Sequence, residues 1–289
     1  DVIIDGSHET FKLEDQTGWR HWSDYPSCAY PVNGNMLWEL DLTGNSIITD
    51  SSRNKAPFYS LIRNGVAFFN YEEDSRSNSL LNLTLGIRCR QGECYQKGEG
   101  FYFDPETNKL YVRSKDHPAS YKYCVPIGGG GGFRFDGHDW IWIEGFQFRY
   151  NRAMDYLGGG AIFMDRGVNH SLIRKNKFIE SGNAVKLYTS YWDFTNTGSD
   201  SFRAGAYNRI EYNEFTYPGV RNLRYQLTKN NNMRGQAITI VGANQNIVRK
   251  NNIYDSYLGI SGHETDFLNA GFIKYHQYEN DVYDNTINN

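Results

Sequence analysis

The chain has 289 residues, enough to bury a full core, yet hydrophobic residues make up 39 % of it and the mean hydropathy is −0.66, as suits an elongated body with much surface per residue. A net charge of −3 and a pI near 6.2 supply no basic footprint, so nucleic acid is not an expected partner. No apolar run is long enough to span a bilayer, and no membrane span is expected.

In chain order, Val2-Ile-Ile-Asp-Gly6 reads as a core strand. The four Cys stand at 28, 89, 94 and 124, and the spacing Cys89-Arg-Gln-Gly-Glu-Cys94 suits a tight disulfide loop, with reduced thiols as the alternative. Irregular spacing without a paired CxxC argues against zinc. On these grounds the protein is expected to be secreted or at the cell surface, a periplasmic location being compatible. Phe101-Tyr-Phe103 and Leu110-Tyr-Val112 flank Asp104-Pro-Glu-Thr-Asn-Lys109 as a predicted hairpin. Gly128 to Gly132 invites a phosphate-loop reading, but no Lys-Ser/Thr and no helical pattern follow, so the run reads as a flexible entry. Residues 1–127 are expected to hold a first coil and an irregular side subdomain, and residues 128–289 regular coils.

The second region repeats one pattern: Ile173-Arg-Lys-Asn176-Lys-Phe178, Ile210-Glu-Tyr-Asn213-Glu-Phe215, Val248-Arg-Lys-Asn251-Asn-Ile253 and Val282-Tyr-Asp-Asn285-Thr-Ile287. Successive second apolar residues lie 37, 38 and 34 positions apart, within the range of repeat architectures. A degenerate copy, Ile141-Trp-Ile143-Glu144-Gly-Phe146, stands 32 positions before Phe178, with Glu in place of Asn. Asn tolerates left-handed backbone, so a corner is expected at each Asn, and the four Asn are expected to stack in a structural ladder. Short periodic strands without helical periodicity predict an all-β chain, a parallel β-solenoid with loop insertions and an irregular N-terminal part.

The paired segments Gly160-Ala-Ile-Phe-Met-Asp165 and Asn169-His-Ser-Leu-Ile-Arg-Lys-Asn-Lys-Phe178 carry a resemblance. From about Phe133 onward the chain resembles the right-handed parallel β-helix repeats of the pectate-lyase-like superfamily. Val2-Ile-Ile-Asp-Gly-Ser7 and Gly100 to Arg113 are similar to segments found ahead of such helices in bacterial polysaccharide-degrading proteins. The resemblance implies a polysaccharide lyase or glycoside hydrolase, although phage tail proteins and adhesins share the fold, so the fold alone does not fix the activity. Some lyases of the superfamily require Ca²⁺, for which Asp165, Asp255 and Glu264 are candidates; no cofactor is demanded by the sequence. Val282 to Asn289 reads as an unfinished coil, which gives the expectation of a piece of a longer protein, with residues of the first 120 capping one end as the alternative.

Aligning the inward aliphatics Ile162, Val185, Ile238 and Ile260 assigns two outward columns, Phe163/Lys186/Thr239/Ser261 and Asp165/Tyr188/Val241/His263. Departures from the repeat at 189–206 and 220–234 flank that face and are expected to build a cleft holding Trp192, Arg203, Arg224 and Arg234 against a polysaccharide. Elimination at a uronate needs a base, a cation for the carboxylate and an acid for the leaving oxygen: Lys186 or His263, an Arg of the loops, and Tyr188. Hydrolysis needs two carboxyl groups, and Asp165 with Glu264, Asp193 or Asp200 supplies them. The structural alternatives are plain. Asp165 before Arg166-Gly suits a turn with a local ion pair, Lys186 and Tyr188 suit a solvated strand edge, and His263 suits a turn. The expectation is a monomeric secreted enzyme cleaving glycosidic bonds, with a non-catalytic surface, adhesin-like or glycan-binding module as the alternative.

Overall fold

The computed structural model describes residues 2–6, 12–22, 34–45, 61–71, 76–90, 93–96, 98–125, 132–151, 160–181, 184–188, 205–216, 236–254, 258–263 and 280–288. The chain divides into two compact units, one formed by residues 1–6, 128–221 and 233–289 and the other by 7–127 and 222–232. Among the described residues no helix is long and apolar enough to cross a membrane.

The first unit consists of three parallel sheets that the chain visits in rotation. Sheet 1 holds Phe133–Asp136, Ile162–Asp165, Val185–Tyr188, Gln236–Val241 and Leu258–His263. Sheet 2 holds Trp142–Glu144, Leu172–Arg174, Arg209–Glu211, Ile247–Arg249 and Asp281–Tyr283. Sheet 3 begins with Val2–Asp5 and continues through Phe146–Arg149, Lys177–Ile179, Glu214–Thr216, Asn252–Tyr254 and Thr286–Asn288.

Each strand is too short to bury a face alone, so the core is built from like residues stacked in register. Ile143, Ile173, Ile210 and Val248 form one buried column, and Phe148, Phe178, Phe215 and Ile253 another. The Phe rings lie nearly parallel, at 4.9 Å from Phe148 to Phe178 and 4.7 Å from Phe178 to Phe215. A fully buried side chain of this size contributes about 1.5–3 kcal/mol. In the last described repeat the same columns continue with Val282 and Ile287, which are about half exposed.

The degenerate first copy sits two residues away from its expected alignment. Ile143 pairs with Ile173 and Phe148 with Phe178, a spacing of 30 residues (148 to 178), and Phe146 takes the place of the Asn. Gly132 is where the preceding glycine run enters the described structure. A Cβ there would lie 2.8 Å from Phe148 Cε1 and 2.9 Å from the Ala161 carbonyl oxygen, so the core admits only glycine.

The Asn ladder is present, with Asn176, Asn213 and Asn251 nearly fully buried and Asn285 partly exposed. The Oδ1 of Asn213, Asn251 and Asn285 accepts from the backbone N–H of Asn176, Asn213 and Asn251 respectively, each at 3.0 Å. The Nδ2 groups of Asn176, Asn213, Asn251 and Asn285 donate to the carbonyls of Ile143, Ile173, Ile210 and Val248 at 2.9 to 3.0 Å. The backbone bend lies one residue earlier than expected. Lys175, Tyr212, Lys250 and Asp284 carry the positive φ, between 52° and 57°, and the Asn that follows turns its amide inward.

A second ladder, not anticipated, occupies the corner between sheets 1 and 2. Asn208, Asn246 and Asn280 accept through Oδ1 from the backbone N–H of Ser171, Asn208 and Asn246, each at 3.0 Å. Left-handed residues again precede the rungs: Trp140, His170, Tyr207 and Gln245. Their outward rings stack, with Trp140 to His170 at 4.5 Å and His170 to Tyr207 at 5.1 Å.

The second unit contains an antiparallel sheet of four strands in the order Trp19–His21, Met36–Asp41, Lys109–Ser114, Gly100–Asp104, which includes the expected hairpin with Phe101 opposite Val112. Tyr123–Cys124, Leu61–Arg63 and Val66–Phe68 form a three-stranded sheet. Leu13, Leu40, Leu61, Phe101, Leu110 and Val112 share a core. Helix Arg76–Leu85 was not anticipated; Leu81, Leu83 and Leu85 alternate along the sequence as in a strand. The structure instead buries Leu80 and Leu83, one helical turn apart, together with Ser79 and Thr84.

Replacing Asn251 by Ala removes the acceptor for the Asn213 N–H and the donor for the Ile210 carbonyl, both buried. Each unsatisfied buried group costs about 1–3 kcal/mol, so the variant should lose about 3 kcal/mol in urea unfolding, against about 1 kcal/mol for Asn285→Ala at the last rung. Equal losses would show that the ladder does not carry the load across repeats.

Candidate functional site

The strands of sheet 1 place the expected columns in register. Phe163, Lys186, Thr239 and Ser261 are successive partners, and Tyr188, Val241 and His263 form the neighbouring column. Asp165 pairs with Asp136 of the preceding strand. Alternation along each strand therefore puts Asp165, Lys186 and Tyr188 on one face.

That face is buried, in contrast to the open strand surface the sequence suggested. Lys186 is 1 % exposed, Asp165 5 % and Tyr188 8 %, and Phe163, Tyr188 and Val241 form a small hydrophobic cluster of their own. The Lys186 ammonium lies 4.8 Å from the Tyr188 ring centroid and 5.2 Å from that of Phe163. In a desolvated setting such a contact is worth about 2 kcal/mol, which helps hold a charge away from water.

Asp165 has two fixed partners. Its Oδ2 accepts from Arg134 at 3.2 Å and its Oδ1 accepts from the Arg166 backbone N–H at 2.8 Å, a local turn contact with Arg134 as an ion-pair partner. Arg134 also donates to Asp136 at 2.9 Å and lies 5.3 Å over the Phe163 ring. One guanidinium thus bridges two carboxylates on adjacent strands. On the far side of Lys186, Gln236 Oε1 accepts from the Thr239 and Ser261 hydroxyls.

Arg134, Asp136, Phe163 and Gln236 were missing from the expected site. The signal for the first two was present, since Phe133-Arg-Phe-Asp136-Gly137 parallels Ile162-Phe-Met-Asp165-Arg-Gly167, but the two-residue slip in the first repeat hid the correspondence. The backbone of His263 pairs with that of Val241. Glu264, Trp192, Arg203, Arg224 and Arg234, with Asp193, Asp200 and Asp255, lie outside the described residues. Among the described residues no three His, Cys, Asp or Glu side chains come together as a metal site.

A second polar array covers the outer face of sheet 2. Glu144 accepts from Arg174 at 3.0 Å and pairs with Lys175 at 3.1 Å; Glu211 accepts from Arg209 at 3.0 Å and from Arg249 at 2.7 Å. Arg249 continues to the Tyr283 hydroxyl at 2.9 Å, and Arg174 sits 4.8 Å over the exposed Trp142. These charges are mutually committed and serve the sheet.

No protein-family model matches the chain, and no curated protein or solved structure is significantly similar to it.

Burial pushes the Glu211 carboxyl up, but the hydrogen bonds from Arg249 and Arg209 outweigh it and hold the group below the ordinary carboxylate range. A lowered folded-state value means stability that is present above the unfolded value and lost as pH falls through the folded one. The protein should therefore lose stability progressively below about pH 4.5, and Glu211→Gln should flatten that part of the unfolding profile measured by circular dichroism. An unchanged acid slope in the variant would remove Glu211 from the account.

Proposed function

We propose that this protein is a secreted carbohydrate-active enzyme that cleaves glycosidic bonds in a polysaccharide, and that its parallel unit is a right-handed parallel β-helix of the pectate-lyase-like kind. Three parallel sheets visited in rotation support the architecture, and parallel crossovers are right-handed in about 98 % of cases. The chain works as a monomer on its glycan.

The observation that carries the activity is the buried Lys186 amine set against the Phe163 and Tyr188 rings, on the face that also holds Asp165. Lys186 and Tyr188, on the same face, are both groups able to move protons. Elimination fits this set: Lys186 in its unprotonated amine form takes the proton next to a uronate carboxylate, the bond to the leaving oxygen breaks as the double bond forms, and the Tyr188 hydroxyl protonates that oxygen. Arg134, which bridges Asp136 and Asp165 with its side chain 57 % exposed, is the described cation nearest to them in register and would have to share its guanidinium with the substrate carboxylate. Lys186 is 1 % exposed, so reaching substrate requires a conformational change around it.

Hydrolysis draws on a different observation, the register pairing of Asp136 with Asp165 on adjacent strands roughly 4.8 Å apart. Both carboxylates already bind one guanidinium, which a hydrolytic pair would have to give up.

Lys186→Met keeps the packing and removes the amine. Assayed on acidic and neutral polysaccharides, the wild type should release products bearing the absorbance of an unsaturated uronate, and Lys186→Met should be slower by about 100-fold or more with its unfolding midpoint retained. Reducing ends without that absorbance would favour the Asp136–Asp165 pair. Near-wild-type cleavage by Lys186→Met, or no cleavage of any polymer by the wild type, would overturn the reading.

A further inference from the structure

Strands Ile87–Arg90 and Glu93–Gln96 form an antiparallel sheet of two strands, and its register sets Cys89 directly opposite Cys94. Opposed residues of an antiparallel ladder have Cα atoms roughly 4.5 to 5.5 Å apart, inside the roughly 4.4 to 6.8 Å that a disulfide spans. Both hydrogen-bonded and non-hydrogen-bonded pairs fall within that window, so the inference does not depend on which kind of pair this is. Arg90 faces Glu93 on the next rung, and only two residues connect the strands.

A two-stranded hairpin is marginal in water unless something else holds it, and the sequence of this one, with Arg88, Arg90, Glu93 and Gln96, is largely polar. Cys124 belongs to a different sheet, where it pairs in register with Ile62. Among the described residues, backbone placement therefore sets each hairpin cysteine opposite the other, and Cys28 lies outside them.

We propose that Cys89 and Cys94 form a cross-strand disulfide that staples this hairpin. Two thiols lose their hydrogens as the sulfur–sulfur bond forms, and a low-molecular-weight disulfide such as oxidised glutathione takes up the two electrons and two protons and leaves as two thiols. The link is a structural staple and is independent of the glycan-cleaving reading of sheet 1.

Trypsin cleaves after Arg88, Arg90 and Lys97, which separates the two cysteines. The full chain is equilibrated with oxidised glutathione, denatured, blocked with N-ethylmaleimide and digested without reductant. The Cys89-Arg90 dipeptide should then travel with peptide 91–97 and separate from it on reduction. Maleimide or glutathione on either cysteine, or attachment of peptide 91–97 to a peptide carrying Cys28 or Cys124, would overturn the assignment. In the native protein, Cys89→Ser/Cys94→Ser should be nicked at Arg90 several-fold faster than the oxidised wild type. Equal nicking rates would show that the bond does not staple the hairpin.

Discussion

A strand of three or four residues that turns sharply at both ends leaves peptide groups facing the interior with no partner in its own repeat. Burial makes each such group expensive, so the parallel unit exists only if every corner is satisfied from the neighbouring repeat. The Asn side chain meets this demand because its amide is acceptor and donor at once. Asn213 Oδ1 takes the Asn176 N–H while its Nδ2 reaches the Ile173 carbonyl, both at 3.0 Å. Asp lacks the donor, and Gln adds a methylene that the corner has no room to absorb. Ser171, at the first rung of the second ladder, shows what a simpler group suffices for: its hydroxyl accepts from Ile141 N–H and donates to the Asn169 carbonyl.

The ladders also explain the left-handed residues. Lys175, Tyr212, Lys250, His170, Tyr207 and Gln245 all hold φ between 52° and 60° without being glycine, a conformation that costs an L-residue on the order of 1 kcal/mol. The following Asn or Ser offsets that by aiming its side chain inward, where it makes several bonds. The left-handed residue itself faces solvent, so its type is free to vary, which is why Trp140, His170 and Tyr207 can stack as exposed rings.

This separation of roles decides what was legible in the sequence. The first Asn column was visible because it is followed by a large apolar residue, and it set the register of sheet 1 well enough to bring Lys186 opposite Thr239 and Tyr188 opposite Val241. The second column stands five residues earlier, in Asn208, Asn246 and Asn280, and passed unnoticed because the residues between look like ordinary strand. In the first repeat Phe146 replaces Asn, and the apparent match slid by two residues. A slip of two keeps inside and outside unchanged but displaces the neighbours, so Asp165 was placed without Asp136 and Arg134. Nor could alternation distinguish an outward residue in water from one covered by further chain, and Lys186 is covered.

Burial on both faces sets sheet 1 apart from its neighbours. In sheet 2 the central residues Ile143, Ile173, Ile210 and Val248 are inward and the flanking Arg side chains reach water, with Glu211 the buried exception, paired to Arg209 and Arg249. In Ile162–Asp165, Val185–Tyr188 and Gln236–Val241 every residue is buried, so Asp165, Lys186, Gln236 and Thr239 give up hydration as a group. An aliphatic column would fill that space more cheaply, as Ile162, Val185 and Ile238 do on the opposite face. Buried polar clusters of this kind, fixed by ring contacts and a shared guanidinium, are where proton chemistry is concentrated in proteins, and in this unit the described buried residues supply one such cluster with a side-chain amine in it. Burying Lys186 to 1 % exposure is thus a cost that packing alone does not require.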